Sequence, residues 1–149
     1  MIQSTLADAA KYMHGSLRGK NAQFRGVSTD TRSLRPGELF VALQGPNFDG
    51  TAFVEQAADS QAAGAVVCRE MNVNLSTIVV DDTIKALGEL GKNWRKQLSA
   101  TVVGVTGSNG KTTLKELLAS CLSISADTFA THGNLNNEIG VPLMLLRMA

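Results

Sequence analysis

The sequence predicts an α/β protein in two units: a small N-terminal α/β domain over residues 1–80, then the opening of a second, parallel α/β domain over residues 81–149. Three observations carry this reading. Short apolar runs alternate with helix-periodic stretches in the first half, and a long amphipathic segment begins just after residue 80. Beyond it the chain runs apolar segment, glycine-rich loop, helix, apolar segment, asparagine-rich loop, helix. That is the order of consecutive parallel strands joined by helical crossovers.

The elements follow in order. Thr5 with Asp8 forms a capping signal, and Leu6, Ala9, Ala10 and Met13 recur at helical spacing, predicting a helix over 5–14 ended at Gly15. Pro36 and Gly37 suit the two central positions of a type II turn, and an apolar strand follows over Leu39 to Leu43. Phe53, Ala57 and Ala58 mark a helix ending near Gly64, and "AGAVVC" and "STIVV" read as two further buried strands. Asp81 and Asp82 cap a longer helix carrying Ile84, Leu87, Leu90, Trp94 and Leu98 on one stripe, despite Gly88 and Gly91 within it. The remainder predicts a strand over 101–105, a helix over 111–123, a strand over 127–131 and a helix over 136–147. Two strands and two helices are too few to cover both faces of a parallel sheet, so this second unit reads as truncated.

Composition narrows the function classes. With 14 basic against 13 acidic residues the formal net charge is +1, and no basic run occurs. No nucleic acid is therefore held by bulk electrostatics, and an anion must be bound by a local site. Cys68 and Cys121 lie far apart in apolar surroundings and read as two reduced, buried thiols, which fits a cytoplasmic protein. The N-terminus lacks a basic segment followed by an apolar one, and no stretch reaches the roughly 18 apolar residues of a membrane span.

The segment "GVTGSNGKTT", Gly104 to Thr113, carries chemistry. A phosphate loop needs backbone N–H groups converging on an anion, hence glycines, and a following helix whose N-terminus adds its dipole. Gly107 and Gly110 flank Ser108 and Asn109, Lys111 supplies a cation, and Thr112 and Thr113 open a helix with hydroxyls, one suited to magnesium. The common pattern G-x-x-x-x-G-K-[ST] would put its first glycine at Val105, where this chain instead has glycines at 104 and 107. Downstream, "HGNLNNEIGVPLMLL" offers Asn134, Asn136 and Asn137, whose amides both donate and accept hydrogen bonds. Taken alone, that segment also reads as a turn capping the last helix. Glu138 reads as solvent-facing and His132 as structural.

"TGSNGKTT" after an apolar strand resembles the ATP-dependent Mur ligases of peptidoglycan precursor synthesis, relatives of folylpolyglutamate synthetase. That family writes the loop T-G-[ST]-x-G-K-[ST], which accounts for the displaced glycine. Its second motif, G-N-x-N-N-x-x-G-x-P, matches the asparagine-rich segment, so the resemblance spans nearly the whole chain. It implies an α/β fold with a UDP-substrate domain before a P-loop domain, with ATP and Mg2+ as cofactors. It places Gly107, Ser108, Asn109, Gly110, Lys111, Thr112, Thr113, Asn134 and Asn137 around the nucleotide. Lys111 is then the catalytic cation and Thr112 the metal ligand.

The first half matches the branch acting on UDP-linked muramoyl peptides. An S-x-D-[ST]-R segment and a G-x-x-x-D-G segment there face the uridine diphosphate end of the substrate, which selects Ser28, Asp30, Arg32, Asp49 and Gly50. Arg32 can pair with a phosphate, while Ser28, Asp30 and Asp49 can bond sugar or uracil. Asp30 and Arg32 could equally form a local ion pair shaping the loop. "NFDG" at 47–50, Lys115-Glu116 after the loop and "GNLNNEIGVPLMLL" are more like the step adding D-alanyl-D-alanine to UDP-N-acetylmuramoyl-tripeptide than the step adding the third residue. Thr51 departs from the family, which more often has histidine there. A non-catalytic nucleotide-binding module is the alternative from another class. The family's magnesium-binding glutamate, carbamylated lysine and C-terminal domain would lie beyond Ala149, so these 149 residues are expected to be inert alone.

Overall fold

The computed structural model describes residues 1–149 except Asn47 and Asn134. In chain order the strands are β1 (Gln3–Thr5), β2 (Ser16–Arg18), β3 (Gln23–Arg25), β4 (Val27–Ser28), β5 (Leu39–Val41), β6 (Gln44–Gly45), β7 (Phe48–Asp49), β8 (Gly64–Val67) and β9 (Thr77–Val79). The helices are α1 (Leu6–Tyr12), α2 (Val54–Asp59), α3 (Thr83–Lys96), α4 (Lys111–Leu122) and α5 (Gly140–Arg147), with a 3-10 turn over Gly50–Phe53 before α2. Five strands form the central sheet in the order β2-β9-β8-β5-β4. Strands β4, β5, β8 and β9 are parallel, and β2 pairs antiparallel with β9 at one edge. The pairs β1-β3 and β6-β7 are separate antiparallel ribbons.

Strand β5 shows how both faces are used. Leu39 and Val41 belong with Val66 and Ile78 to a cluster that also holds residues of α1, α3 and α5, including Leu6, Leu87, Leu90 and Leu146. Phe40 and Ala42 join Ala65, Val67, Val54 and Ala57 in a second cluster on the α2 side. Parallel strands are stable when helices cover both faces, and the period-2 side-chain alternation assigns each residue its layer. The apolar runs read in the sequence are continuous, not alternating, because neither face meets water.

Local chemistry sets the helix ends. Thr5 caps α1, its Oγ1 accepting from Asp8 N at 3.2 Å and donating to Asp8 Oδ2 at 2.8 Å. At the other end His14 takes the left-handed conformation (φ 54°). The Gly15 N–H donates to Ala10 O at 2.8 Å and the His14 N–H to Lys11 O at 3.2 Å, a Schellman termination. Gly15 is required for a different reason, because a Cβ there would lie 2.7 Å from Val80 Cγ1. The turn predicted at Pro36-Gly37 is present, with Gly37 at φ 82° and Glu38 N donating to Arg35 O at 3.1 Å. Asp82 alone caps α3, accepting from Ile84 N at 2.9 Å and Lys85 N at 3.0 Å through Oδ1. The buried stripe of α3 is Thr83, Ala86, Leu87, Leu90 and Gly91, rotated from the predicted one so that Ile84 and Trp94 are only half-buried.

Four expectations need correction. The strands predicted over 101–105 and 127–131 do not form, because a strand is completed by a ladder partner and none of the described residues pairs with either run. Val102 and Val103 are each 59% exposed. The last helix begins at Gly140 and not near 136, because the residues before it form a turn held by Asn137 Oδ1, which accepts from Ile139 N and Gly140 N. Helix α2 ends at Asp59, and Gly64 opens β8 instead of closing a helix. Both cysteines are free, but Cys121 is exposed and Cys68 half-buried, since α4 has no buried residue.

Helix α5 lies against α3, with Gly91 facing Pro142 so closely that an added Cβ would sit 3.1 Å from Pro142 Cα. Ile2 N donates to Leu146 O at 2.7 Å, and Trp94 Nε1 donates to Met148 O at 3.1 Å. These bonds tie the end of α5 to the N-terminal segment and the residue after it to α3.

Candidate functional site

Two groups of residues stand at defined places in this fold. The first lies where the parallel strands end. Loops leaving the carboxyl ends of the neighbouring strands β4, β5 and β8 carry Asp30 and Arg32, Asp49 and Gly50, and Arg69 respectively. The carboxyl edge of a parallel sheet is where α/β proteins gather polar ligand contacts. Thr31 Oγ1 donates to Gln56 Oε1 at 2.9 Å, joining the first loop to α2, the helix that the second loop leads into.

Within the first loop, Ser28 Oγ accepts from Asp30 N at 3.2 Å and donates to Asp30 O at 3.0 Å. Asp30 takes three bonds from the Arg32 side chain, from Nε at 3.0 and 3.1 Å and from Nη2 at 2.7 Å, and one from Arg32 N at 2.9 Å. Of the two sequence readings of this pair, the local ion pair is therefore present. The guanidinium holds the Asp30 carboxyl down to about 2, mainly by side-chain hydrogen bonding, and Asp30 raises Arg32 in return.

In the second loop, Asp49 Oδ1 accepts from Thr51 N at 3.0 Å and Thr51 Oγ1 at 2.5 Å. These bonds, with Arg69 nearby, lower the Asp49 carboxyl. Gly50 is irreplaceable, since a Cβ would approach Leu43 O to 2.7 Å. Thr51, where the resemblance calls for histidine, is 4% exposed, and its hydroxyl accepts from Arg69 Nη2 at 2.9 Å. The same Nη2 reaches Asp49 Oδ2 at 3.3 Å. Sequence reading missed Arg69. Its position two residues beyond β8, at the same sheet edge as the other two loops, is the signal that would have found it.

The second group is the loop before α4. Gly107 (φ 149°) and Gly110 (φ 75°) occupy backbone conformations that favour glycine, and Gly110 is the residue that enters α4. Nothing lies within 4 Å of a Cβ placed at Gly104 or Gly110. Lys111 folds back so that Nζ donates to Gly107 O, spanning the loop. Ser108, Asn109, Thr112 and Thr113 are all exposed at the free N-terminus of a 12-residue helix. Open space, uncommitted amides, a lysine and a hydroxyl match the needs of a polyphosphate with its magnesium.

The structure links this loop to the asparagine-rich segment indirectly. Lys115, one turn into α4 and 17% exposed, donates from Nζ to Thr131 O at 2.5 Å and pairs with Glu116 at 2.9 Å. Asn137 Oδ1 accepts from Gly140 N at 2.7 Å and Ile139 N at 3.3 Å, and Asn137 O accepts from Val141 N at 3.0 Å. Asn137 thus closes the turn that leads into α5, and among the described residues its amide nitrogen has no partner. Asn136 and Asn137 line a shallow groove of about 510 Å³ whose other wall is Ile84, Lys85 and Gly88 of α3. Among the described residues no hydrogen bond joins Asn137 to the loop 104–113, and Asn134 lies outside the described residues. Glu138 is exposed, and His132 meets Phe129 edge-on at 6.3 Å.

A sheet covered on both faces, with polar loops at its carboxyl edge and a Gly-Lys-Thr-Thr turn opening a helix, defines an α/β protein of the P-loop class. The chain belongs to the Mur ligase family: the Mur ligase family catalytic domain matches residues 23–119 and the Mur ligase middle domain residues 105–149. It is 45% identical over 148 residues to the UDP-N-acetylmuramoyl-tripeptide D-alanyl-D-alanine ligase of Escherichia coli K12, covering 99% of this chain and 33% of that protein. With the Bacillus subtilis ligase of the same name it shares 40% identity, covering 99% of this chain and 34% of that protein. The fold is likewise similar to crystal structure I of MurF from Acinetobacter baumannii, with TM-score 0.94 and 37% identity over 100% of this chain and 34% of that one. A Thermotoga maritima MurF ligase in complex with ADP aligns with TM-score 0.74 and 36% identity over 82% of this chain and 29% of that one. The chain spans about a third of the length of the curated relatives it matches. No helix among the described residues is long and apolar enough to cross a membrane.

Proposed function

We propose that the chain forms the N-terminal portion of a cytoplasmic ATP-dependent ligase that adds D-alanyl-D-alanine to UDP-N-acetylmuramoyl-tripeptide in peptidoglycan precursor synthesis. The observation that carries this is the loop 104–113, open at a helix N-terminus with Lys111 across it, in a chain 45% identical over 99% of its length to a ligase of that name. In this reading residues 1–80 bind the UDP-linked substrate and residues 81–149 begin the ATP-binding domain.

The reaction implied is amide formation through an acyl phosphate. The terminal carboxylate of the tripeptide accepts the γ-phosphoryl group of ATP, and the amine of D-alanyl-D-alanine then displaces phosphate as the amide bond forms. The loop residues Gly107 to Gly110 offer backbone N–H groups to the phosphates. Lys111 leaves the Gly107 carbonyl to neutralise charge on the transferring group, and the Thr112 and Thr113 hydroxyls and first-turn amides of α4 complete the cradle. Thr112 would hold Mg2+, which would neutralise phosphate charge when bound. Asn134 and Asn137 serve the nucleotide side of the cleft, the latter through its amide nitrogen. Ser28, Asp30, Arg32, Asp49 and Gly50 shape the wall that meets the uridine diphosphate end.

Titration calorimetry of the chain with Mg-ATP and, separately, with UDP-N-acetylmuramoyl-tripeptide tests both halves. Lys111→Ala is expected to weaken Mg-ATP by about ten- to a hundredfold, the range for losing a charge-assisted contact. Its UDP-substrate affinity should stay unchanged. Nucleotide affinity indifferent to Lys111→Ala would sink the loop assignment.

A further inference from the structure

We infer that Arg69, and not Arg32, is the arginine that receives the diphosphate of the UDP-linked substrate, an assignment that rests on the proposed UDP-binding role of residues 1–80. Both arginines stand at the carboxyl edge of the sheet, yet their hydrogen-bonding capacity differs. The Arg32 fork is committed, with Nε and Nη2 both on Asp30 and its backbone N–H on the same carboxylate. Drawing it onto a phosphate would leave Asp30 without the partner that keeps its carboxyl ionised down to about 2. Arg69 uses one nitrogen, Nη2, for both Thr51 Oγ1 at 2.9 Å and Asp49 Oδ2 at 3.3 Å. Among the described residues its Nε and Nη1 have no partner, and the side chain is 63% exposed.

A guanidinium steered through one nitrogen, with two more donors facing solvent, is preorganised for a phosphate oxygen pair. Its anchors are themselves fixed: Thr51 is buried, and Asp49 is held by the start of the 3-10 turn. The preceding residue, Phe48, stacks on Phe53 with ring centroids 6.0 Å apart, and the two rings are 53% and 41% exposed. An aromatic face open to solvent thus sits in the loop that holds Arg69, which suits a nucleobase attached to the diphosphate. Aromatic face and free guanidinium donors in one loop set are the complement of a nucleoside diphosphate.

The test compares the wild-type chain with Arg69→Gln, Arg69→Lys and Arg32→Gln by titration with UDP-N-acetylmuramoyl-tripeptide, with inorganic pyrophosphate as competitor. Arg69→Gln removes the charge at an exposed side chain while keeping a polar amide, so unchanged thermal melting is expected with affinity lower by about ten- to a hundredfold. Arg69→Lys should recover part of that loss, pyrophosphate should compete far less well against ligand bound to Arg69→Gln, and Arg32→Gln, which only loosens the wall around Asp30, should lose clearly less affinity than Arg69→Gln. A loss at Arg32→Gln with none at Arg69→Gln overturns the assignment while leaving the UDP-binding role intact. No binding of the UDP substrate to the folded wild-type chain overturns both.

Discussion

Asp30 and Arg32 illustrate how much can hang on neighbours two positions apart. The Asp30 carboxyl lies at about 2 in place of its ordinary 3.8, first because Arg32 donates to it through its side chain and then through its backbone. A carboxyl lowered in the folded state stabilises that state above its unfolded value, and the contribution is lost as the pH falls through the folded one. The pair therefore supports the loop fully above about pH 4 and releases it as the pH drops toward 2. Arg32→Ala should return the Asp30 midpoint toward 3.8, read by carbon-detected NMR titration of the carboxyl. A midpoint that stays near 2 would mean that backbone bonds alone hold it. Thr51 teaches the complementary lesson. The sequence marks it as a departure, and only the fold shows its hydroxyl seated between Asp49 and Arg69. Long-range partners such as Arg69 leave no local pattern, whereas Ser28, Asp30 and Arg32 form a motif because they bond to each other.

Among the elements, those defined by their own residues were legible and those defined by partners were not. Helices α1 and α3 follow from capping residues and periodicity, α4 from the Gly-Lys-Thr-Thr turn that opens it, and β5, β8 and β9 from short apolar runs. The runs 101–105 and 127–131 carry the same apolar signal but lack a ladder partner among the described residues, which periodicity cannot reveal. The start of α5 lies at Gly140, past the turn that Asn137 holds, and Pro142 sits in its first turn, where a missing N–H is tolerated. The two glycines of α3 likewise look equivalent in sequence and differ in place. A Cβ at Gly88 meets nothing within 4 Å, so Gly88→Ala should stabilise the fold by about 0.5–1 kcal/mol through helix propensity. A Cβ at Gly91 comes within 3.1 Å of the Pro142 backbone, so Gly91→Ala should fail to stabilise and should loosen α5. Urea denaturation of both variants decides the matter, and equal gains would show that α5 yields freely.

Across the whole molecule, packing is uneven. The sheet with α1, α2, α3 and α5 holds both buried clusters, while α4 contributes none of its side chains. Leu117 and Ile124 are 59% and 87% exposed. Segments with few buried apolar contacts open at low free energy, whereas core strands approach the global value. Amide hydrogen exchange should therefore be slowest in β5 and β8 and faster by several orders of magnitude across α4, and α4 protection equal to that of β8 would contradict the described packing. This division also suits the proposed chemistry, with a firm platform for the UDP end and a phosphate loop on the least anchored helix. The bond from Ile2 N to Leu146 O has a further consequence for how the protein is made. Ile2 leaves the ribosome well before Leu146, its partner, has been added. At about 5–20 residues per second that is a wait of roughly 7–30 s. Until then the Ile2 amide has no Leu146 carbonyl to bond, so α5 docks onto a cluster in which Leu6 and Ala10 have already met Leu39 and Val66.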